Sequence, residues 1–366
     1  MTDDRFAARR QKLIQRLRKT EAEALLVTNF TNVSYLTGFS GHDSYLLLGA
    51  AATVLVSDSR YATQIREECP GLDANIRKNT VQMHEAVARV VKKAKLNKLA
   101  IESTSTTVSQ WEELETEAKA LELQPAAGLV EDLRMIKDAG EVTEIRQAIR
   151  QAERAFEVMR ASLVASMSER QVAHDLEHAM RRFGAEKASF DPIVAVGARA
   201  ALPHARASDQ LIGDAEFLLV DWGATNQRGY KSDLTRVLVT GKILPKLEKL
   251  YGVVLNAQRQ GIQAIRPGVK CRDVDVAART VIHQSGYGKR FGHGLGHGIG
   301  LDIHESPRLG PLSETELKPG MIVTVEPGIY VANWGGIRIE DDVLVTRDGC
   351  EVLTSVPKRF EDTIID

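Results

Sequence analysis

The chain reads as two folded units, an N-terminal α/β domain over residues 1–132 and a larger α+β domain over 133–366. Three observations predict this. Strand-like and helix-like segments alternate through the first 130 residues, the pattern of an α/β domain. The segment AAGLVEDLRMIKDAGEV then reads as a linker, and past it apolar and alanine positions recur at helical spacing over 141–163. Finally, the second unit carries a diverged internal repeat. SERQVAHDLEHAMRRFGAE (168–186) is similar to CRDVDVAARTVIHQSGYGK (271–289) at an offset of about 102, which aligns Val172 with Val274 and Gly184 with Gly286. Each copy is an amphipathic helix ending at a glycine suited to a C-cap, and each precedes strands. Two related halves place a site at their interface.

Taken in order, residues 5–20 have helical charge patterning, and the strand ALLVT follows. Next come NVSYLTGF, two apolar strands (SYLLLG and ATVLVSD) and the helix RYATQIREE. A helix over 84–95 leads into the strand KLAIE, and a further helix covers 109–121. In the second unit, LLVDWGA and YKSDLTRVLV read as adjoining strands of a hairpin, and MIVTVEPGIY and GIRIEDDVLV as later strands.

The 366 residues suffice for two domains of ordinary size. A formal net charge of −1 gives no electrostatic footprint for nucleic acid or a membrane surface. Cys69, Cys271 and Cys350 are isolated, which argues against a disulfide framework and for a reducing compartment. The charged N-terminus has no apolar core of a signal peptide, and the most apolar stretch, 45–56, is too short to span a bilayer. A cytoplasmic protein is expected.

The chemistry concentrates in the last 150 residues. Asp221, Asp233, His297, Glu326 and Glu340 each sit in an apolar or glycine-rich setting where an unpaired charge is costly. Taken singly, Asp221 could end a strand and Asp233 could cap a turn; as a pair flanked by apolar strands, both favour a ligand reading. They are expected to face each other across the hairpin, with Thr235 on the same strand face as Asp233. His293, His297 and His304 fall within twelve residues, among glycines that allow close approach to a metal or substrate. His204, in ALPHARAS, is a fourth candidate. His174 and His178, on a polar helix and outside an HExxH pattern, read as solvated. Glu340 shares a strand face with Arg338 and could be either a ligand or half of a surface ion pair. Four carboxylates alone would repel; with one imidazole around two divalent cations they approach neutrality. Such an oxygen-rich set suits Mn²⁺, with Co²⁺, Fe²⁺ or Zn²⁺ as substitutes.

The ordered runs SDLTR, GHGLGHGIGLDIHE, VEPGIY and GIRIED closely resemble the pita-bread metallopeptidases, in particular the proline-specific branch of aminopeptidase P and prolidase. NVSYLTGFSG extends the likeness over nearly the whole chain. The resemblance implies a C-terminal pita-bread fold, two pseudo-symmetric αβ halves around a metal site. It implies that Asp233 and Glu340 bridge two ions, that Asp221 binds one, and that His297 and Glu326 bind the other. Glu326 would also be the general base. His304, His204 and His293 would bind substrate and steady the tetrahedral intermediate. Arg338 and Thr235 would orient the carboxylates, and Arg308 matches a position that in prolidases can meet a substrate carboxylate. Two departures stand out: the Asp pair is twelve residues apart, one more than the family pattern, and Ser59 precedes Arg60-Tyr61 where an aromatic is frequent. The first expectation is cleavage of the Xaa–Pro bond at the N-terminus of proline-containing peptides by a homodimer. The alternative is a prolidase restricted to dipeptides, and a non-catalytic binding protein is the reading from another class.

Overall fold

The computed structural model describes residues 4–365. The chain forms two compact units, Met1–Arg134 and Met135–Asp366.

The first unit is a six-stranded mixed sheet. Its strands are β1 (Ala24–Val27), β2 (Tyr45–Gly49), β3 (Thr53–Asp58), β4 (Asp73–Arg77), β5 (Lys98–Glu102) and β6 (Glu122–Ala126), in the order β4-β3-β2-β1-β5-β6. The apolar runs occupy the centre: β1 pairs antiparallel with β2 and parallel with β5. The helix Met83–Ala94 lays Val87 and Val91 on Leu47, Val56, Leu99 and Ile101. The two edge strands, DANIR and ELQPA, lack an apolar run because they are half-exposed, so periodicity does not find them. NVSYLTGF is helical, Phe30–Thr37, with Asn29 capping its start and Gly38 at φ +80° closing it.

The second unit is built twice. Helix Ala139–Ser162 packs on Glu169–Arg182, and Pro245–Ala264 packs on Cys271–Gln284. The copies match in detail. The N–H groups of Glu169 and Arg170 donate to the carbonyls of Gln210 and Ser208, and those of Cys271 and Arg272 to Thr315 and Ser313. In each half, a returning segment thus satisfies helix N-terminal donors that have no partner inside the helix. Val172 and Val274 are both fully buried. Gly184 and Gly286 take φ +91° and +86°.

Each helix pair carries strands. The first half has β7 (Lys187–Ala188), β8 (Ile193–Val196), β9 (Phe217–Trp222), β10 (Ala224–Thr225) and β11 (Leu234–Val239). The second has β12 (Gly296–Gly298), β13 (Glu305–Leu309), β14 (Ile322–Val325), β15 (Gly328–Val331), β16 (Gly335–Arg338), β17 (Asp341–Val345) and β18 (Cys350–Val352). The main sheets run β11-β9-β8 and β13-β12-β14-β17-β18. β9 is buried on both faces, which is why it reads as a continuous apolar run. Leu218, Val220 and Trp222 face the first helix pair, and Phe217 and Leu219 face the core that contains Leu250, Val254 and Val274. Trp222 stacks on Phe156 at 4.2 Å and donates its indole N–H to the carbonyl of Ala152.

The two C-cap glycines offer a test of the duplication. A Cβ at Gly286 would meet nothing within 4 Å, and at Gly184 only the Gln151 amide at 3.4 Å. Gly184→Ala and Gly286→Ala should therefore each destabilise by the left-handed backbone cost alone, about 1–2 kcal/mol, and by similar amounts in urea unfolding. A null effect at either position would contradict the conformational argument.

Candidate metal centre

The strand ends of both halves point their acids at one place. Asp221 is the penultimate residue of β9 and Asp233 immediately precedes β11; Glu326 immediately follows β14 and Glu340 immediately precedes β17. The halves join there through an isolated bridge, in which the Glu340 N–H donates to the carbonyl of Thr235 at 3.2 Å. Asp233, His297 and Glu340 offer ligand atoms within 4.8 Å of one another, all three residues buried. The His297 Nε2 lies 3.3 Å from Glu326 Oε1 and 3.6 Å from Asp233 Oδ2. Its Nδ1 faces the Gly298 carbonyl at 3.0 Å. That contact places a proton on Nδ1 and leaves Nε2 turned to the carboxylates.

The hairpin register differs from the expected one. Opposite Asp221 stands Thr235, not Asp233. Asp233 lies just outside the ladder, where its backbone N–H donates to Asp342 Oδ2 at 3.1 Å. Nor does Glu340 pair with Arg338: it is 1% exposed and accepts the Thr235 hydroxyl at 2.6 Å. Arg338 is instead the clamp of the site. It binds Asp221, donates from Nε to Thr235 Oγ1 at 3.1 Å and from Nη1 to the Tyr330 hydroxyl at 2.7 Å, and reaches the Pro203 carbonyl.

The electrostatics follow from burial. Burial, then the neighbouring charges of Glu340 and Asp221, lift Asp233 well above the usual carboxylate range. Burial and the charges of Glu326 and Asp221 do the same to Glu340. Asp221 is raised by burial even against Arg338. Glu326 is also pushed up by burial, but its hydrogen bond to His297 and the charges of His297, His293 and Arg338 outweigh that and hold it below the ordinary value. Asp221 Oδ1 is buried without a hydrogen-bond partner. An orphaned carboxylate oxygen and two strongly disfavoured anions within reach of an imidazole nitrogen fit divalent cations.

Around this centre, His304 meets His297 edge to face at 4.4 Å between centroids. The His293 Nε2 lies 3.0 Å from the Tyr330 hydroxyl. His204 is exposed, one residue beyond the Pro203 carbonyl that Arg338 holds. Arg308 is exposed on β13, opposite His297 in the strand pair, so both side chains share a sheet face. His174 and His178 are exposed on the far helix. The glycines of the histidine run act differently from the expectation. A Cβ on Gly296 would lie 2.0 Å from the Thr324 carbonyl, and one on Gly298 2.2 Å from that of Ser306. They let neighbouring strands approach, not a metal.

Several residues of the site carry little signal in the sequence. Tyr330 links His293 to Arg338, and its one signal is its place in VEPGIY. Asp341 pairs with buried Arg236, whose guanidinium also donates to the Glu340 and Thr235 carbonyls. Asp342 carries the Asp233 amide. Nothing in the linear run EDD separates these three roles.

The model of metallopeptidase family M24 matches residues 143–347, and that of the creatinase/prolidase N-terminal domain matches residues 9–136. An Xaa-Pro dipeptidase of Pyrococcus horikoshii is 35% identical over 352 residues, 96% of this chain and 97% of that protein. Among solved structures, an Xaa-Pro dipeptidase from Bacillus anthracis superposes with a TM-score of 0.93 at 37% identity, covering 98% of this chain and 99% of that one. An X-Pro aminopeptidase from Thermotoga maritima superposes with a TM-score of 0.87 at 34% identity, covering 96% and 99%.

The raised acids make metal-free stability depend on pH. Asp233 and Glu340 have folded pKa values above their unfolded ones, so the stability tied to them is full below the ordinary carboxylate range and is lost as pH rises through the folded values. Chelated protein should melt at progressively lower temperature as pH rises above the ordinary carboxylate range, and Glu340→Gln should flatten the fall. Divalent cation should raise the melting temperature most at the higher pH values. A flat calorimetric profile for chelated wild type would remove the charge argument.

Proposed function

This chain belongs to metallopeptidase family M24, and from that premise we propose that it hydrolyses the Xaa–Pro bond of dipeptides. The single observation carrying the chemistry is the five-residue cluster Asp221, Asp233, His297, Glu326 and Glu340. The expectation placed first, cleavage at the N-terminus of longer peptides, receives less support than its alternative. Curated relatives matching nearly the full chain include two described as Xaa-Pro dipeptidases. Arg308, on the face of His297, offers a guanidinium suited to the free carboxylate of a dipeptide.

In this proposal Asp221, Asp233, His297, Glu326 and Glu340 would hold two divalent ions. The hard oxygen-rich set supports Mn²⁺. When bound, such ions polarise the scissile carbonyl and supply a nucleophile at neutral pH. The remaining steps belong to side chains. Glu326, held below the usual range, is ionised and accepts a proton at a carboxylate oxygen as water adds to the carbonyl. It returns that proton to the proline nitrogen as the C–N bond breaks; this nitrogen has no hydrogen of its own and leaves only when protonated. His304 and His204 donate hydrogen bonds to substrate and to the developing oxyanion, and His293, its ring held by Tyr330 and the Gly294 carbonyl, contacts substrate beside them. Arg338 and Thr235 keep Asp221 and Glu340 aimed. We place the two chain units in the roles of N-terminal domain and catalytic domain. Cytoplasmic residence is supported by the isolated thiols and a homodimer by the family resemblance. No helix among the described residues is long and apolar enough to cross a membrane.

Two measurements test this reading. With Mn²⁺ added, an Xaa-Pro dipeptide should turn over at least about tenfold faster than the Xaa-Pro-Yaa tripeptide, and Arg308→Ala should narrow that ratio by raising KM for the dipeptide alone. Preference for the tripeptide would restore the aminopeptidase reading. Asp233→Ala and Glu340→Ala should each lose metal on dialysis and about a thousandfold or more of turnover. Full activity in either variant would end the metallopeptidase mechanism.

A further inference from the structure

The helix Cys271–Gln284 carries a partly buried ion pair that the reaction does not use. Arg279 grips Asp275 through two contacts, Nε to Oδ2 at 2.7 Å and Nη2 to Oδ1 at 2.8 Å. Asp275 is fully buried. The same guanidinium reaches out of the helix. Its Nη1 donates to the Phe291 carbonyl at 3.0 Å and its Nη2 to the His293 carbonyl at 2.7 Å. It also lies over the Phe291 ring at 4.1 Å, and that ring meets the His293 imidazole edge to face at 5.1 Å. Asp275 Oδ1 takes the Leu295 N–H at 3.0 Å, and the Leu295 carbonyl takes the Glu326 N–H at 2.8 Å.

His293 is therefore held from two sides. The Tyr330 hydroxyl, which accepts from Arg338, donates to its Nε2, while its Nδ1–H donates to the Gly294 carbonyl at 2.8 Å. On the other side, its backbone and the ring beneath it hang on Arg279. An ion pair meant only to stabilise the helix would be complete with its two Arg–Asp contacts. This pair directs its remaining donors to the two carbonyls that bracket the loop entering the site.

We propose that Arg279, braced by Asp275, is a positioning residue that fixes the His293 imidazole for the transition state. The inference rests on the proposed use of His293 against substrate. A lysine at 279 can still pair with Asp275, but a single ammonium lacks the planar fork needed for both carbonyls.

The test uses full-length, Mn²⁺-loaded protein. Arg279→Lys should lower kcat for an Xaa-Pro dipeptide about 10- to 100-fold, with KM and bound metal near wild type. In ¹⁵N spectra of the diamagnetic Zn²⁺-loaded protein the His293 Nε2 resonance should move toward that of an imidazole free of the Tyr330 bond. In a His293→Ala background Arg279→Lys should add no further loss, because its effect travels through the missing ring. Losses that multiply would overturn the proposal, as would an unchanged kcat or an unmoved resonance. If Arg279→Lys does not fold, Phe291→Leu removes the ring between guanidinium and imidazole while keeping both carbonyls. In the same cycle, no added loss without His293 supports the proposal and multiplying losses overturn it. Wild-type turnover in His293→Ala alone would instead mark a failure in the assignment of His293.

Discussion

Everything in the second unit answers one electrostatic constraint: carboxylates from four strand ends are buried together. Asp221, Asp233, Glu326 and Glu340 are joined by Asp342, fully buried, whose Oδ1 has no hydrogen-bond partner. Burial, then the Asp341 charge, keep Asp342 well above the carboxylate range even though it accepts the Asp233 amide. The four candidate ligand acids, once ionised, carry four negative charges, which two divalent ions would match; Asp342, held toward its protonated form, adds none. Repulsion of this size would scatter flexible side chains, so the fold must hold them. It does so with backbone: the Thr235–Glu340 bridge, the Asp233–Asp342 amide contact and the buried Arg236 fork behind them all fix main-chain atoms.

This division explains what the sequence reveals. The candidate ligands are legible because acids at the ends of apolar strands, and a histidine inside a glycine run, gain weight as a set. Central strands are legible as well, since β1, β2, β3 and β9 are continuous apolar runs. Geometry is not. The register that opposes Asp221 to Thr235 is set by a strand that starts one residue after Asp233, and no periodicity marks that start. The partner of Arg338 is equally hidden: nearness in sequence suggests Glu340, whereas Asp221, 117 residues away, is the one it reaches. The edge strands β4 and β6 are silent because pairing on one side alone requires no apolar pattern.

The duplication is visible only in its most constrained part. Val172 and Val274, and Gly184 and Gly286, survive divergence because core burial and a left-handed cap tolerate few residue types. The remaining correspondence is carried by hydrogen bonds between main-chain atoms, as in the paired N–H contacts of Glu169 and Cys271. Such bonds leave no residue signature, so divergence erases them from the sequence while the fold keeps them.

The symmetry also breaks where chemistry needs it to. At the offset that aligns the helices, His297 corresponds to Ala195, which is fully buried and pairs with Leu219 on β9. In the other half His297 donates its N–H to the Thr324 hydroxyl, and Thr324 also bonds Glu326. One half thus contributes only carboxylates, and its Asp221 is bound by a permanent cation. The other half contributes the imidazole, the one candidate ligand acid held below its usual range, and the neighbouring His293 and His304. A fully symmetric site would give both ions the same donors and leave no acid distinguished as a base. Replacing a small apolar residue by histidine in one copy produces that distinction. It draws Glu326 toward ionisation through its hydrogen bond to His297 and leaves Asp221 tied to Arg338. In the proposed mechanism the proton-handling side of the centre is therefore the half that carries the imidazole, where His293 and His304 also lie, while His204 comes from the other half.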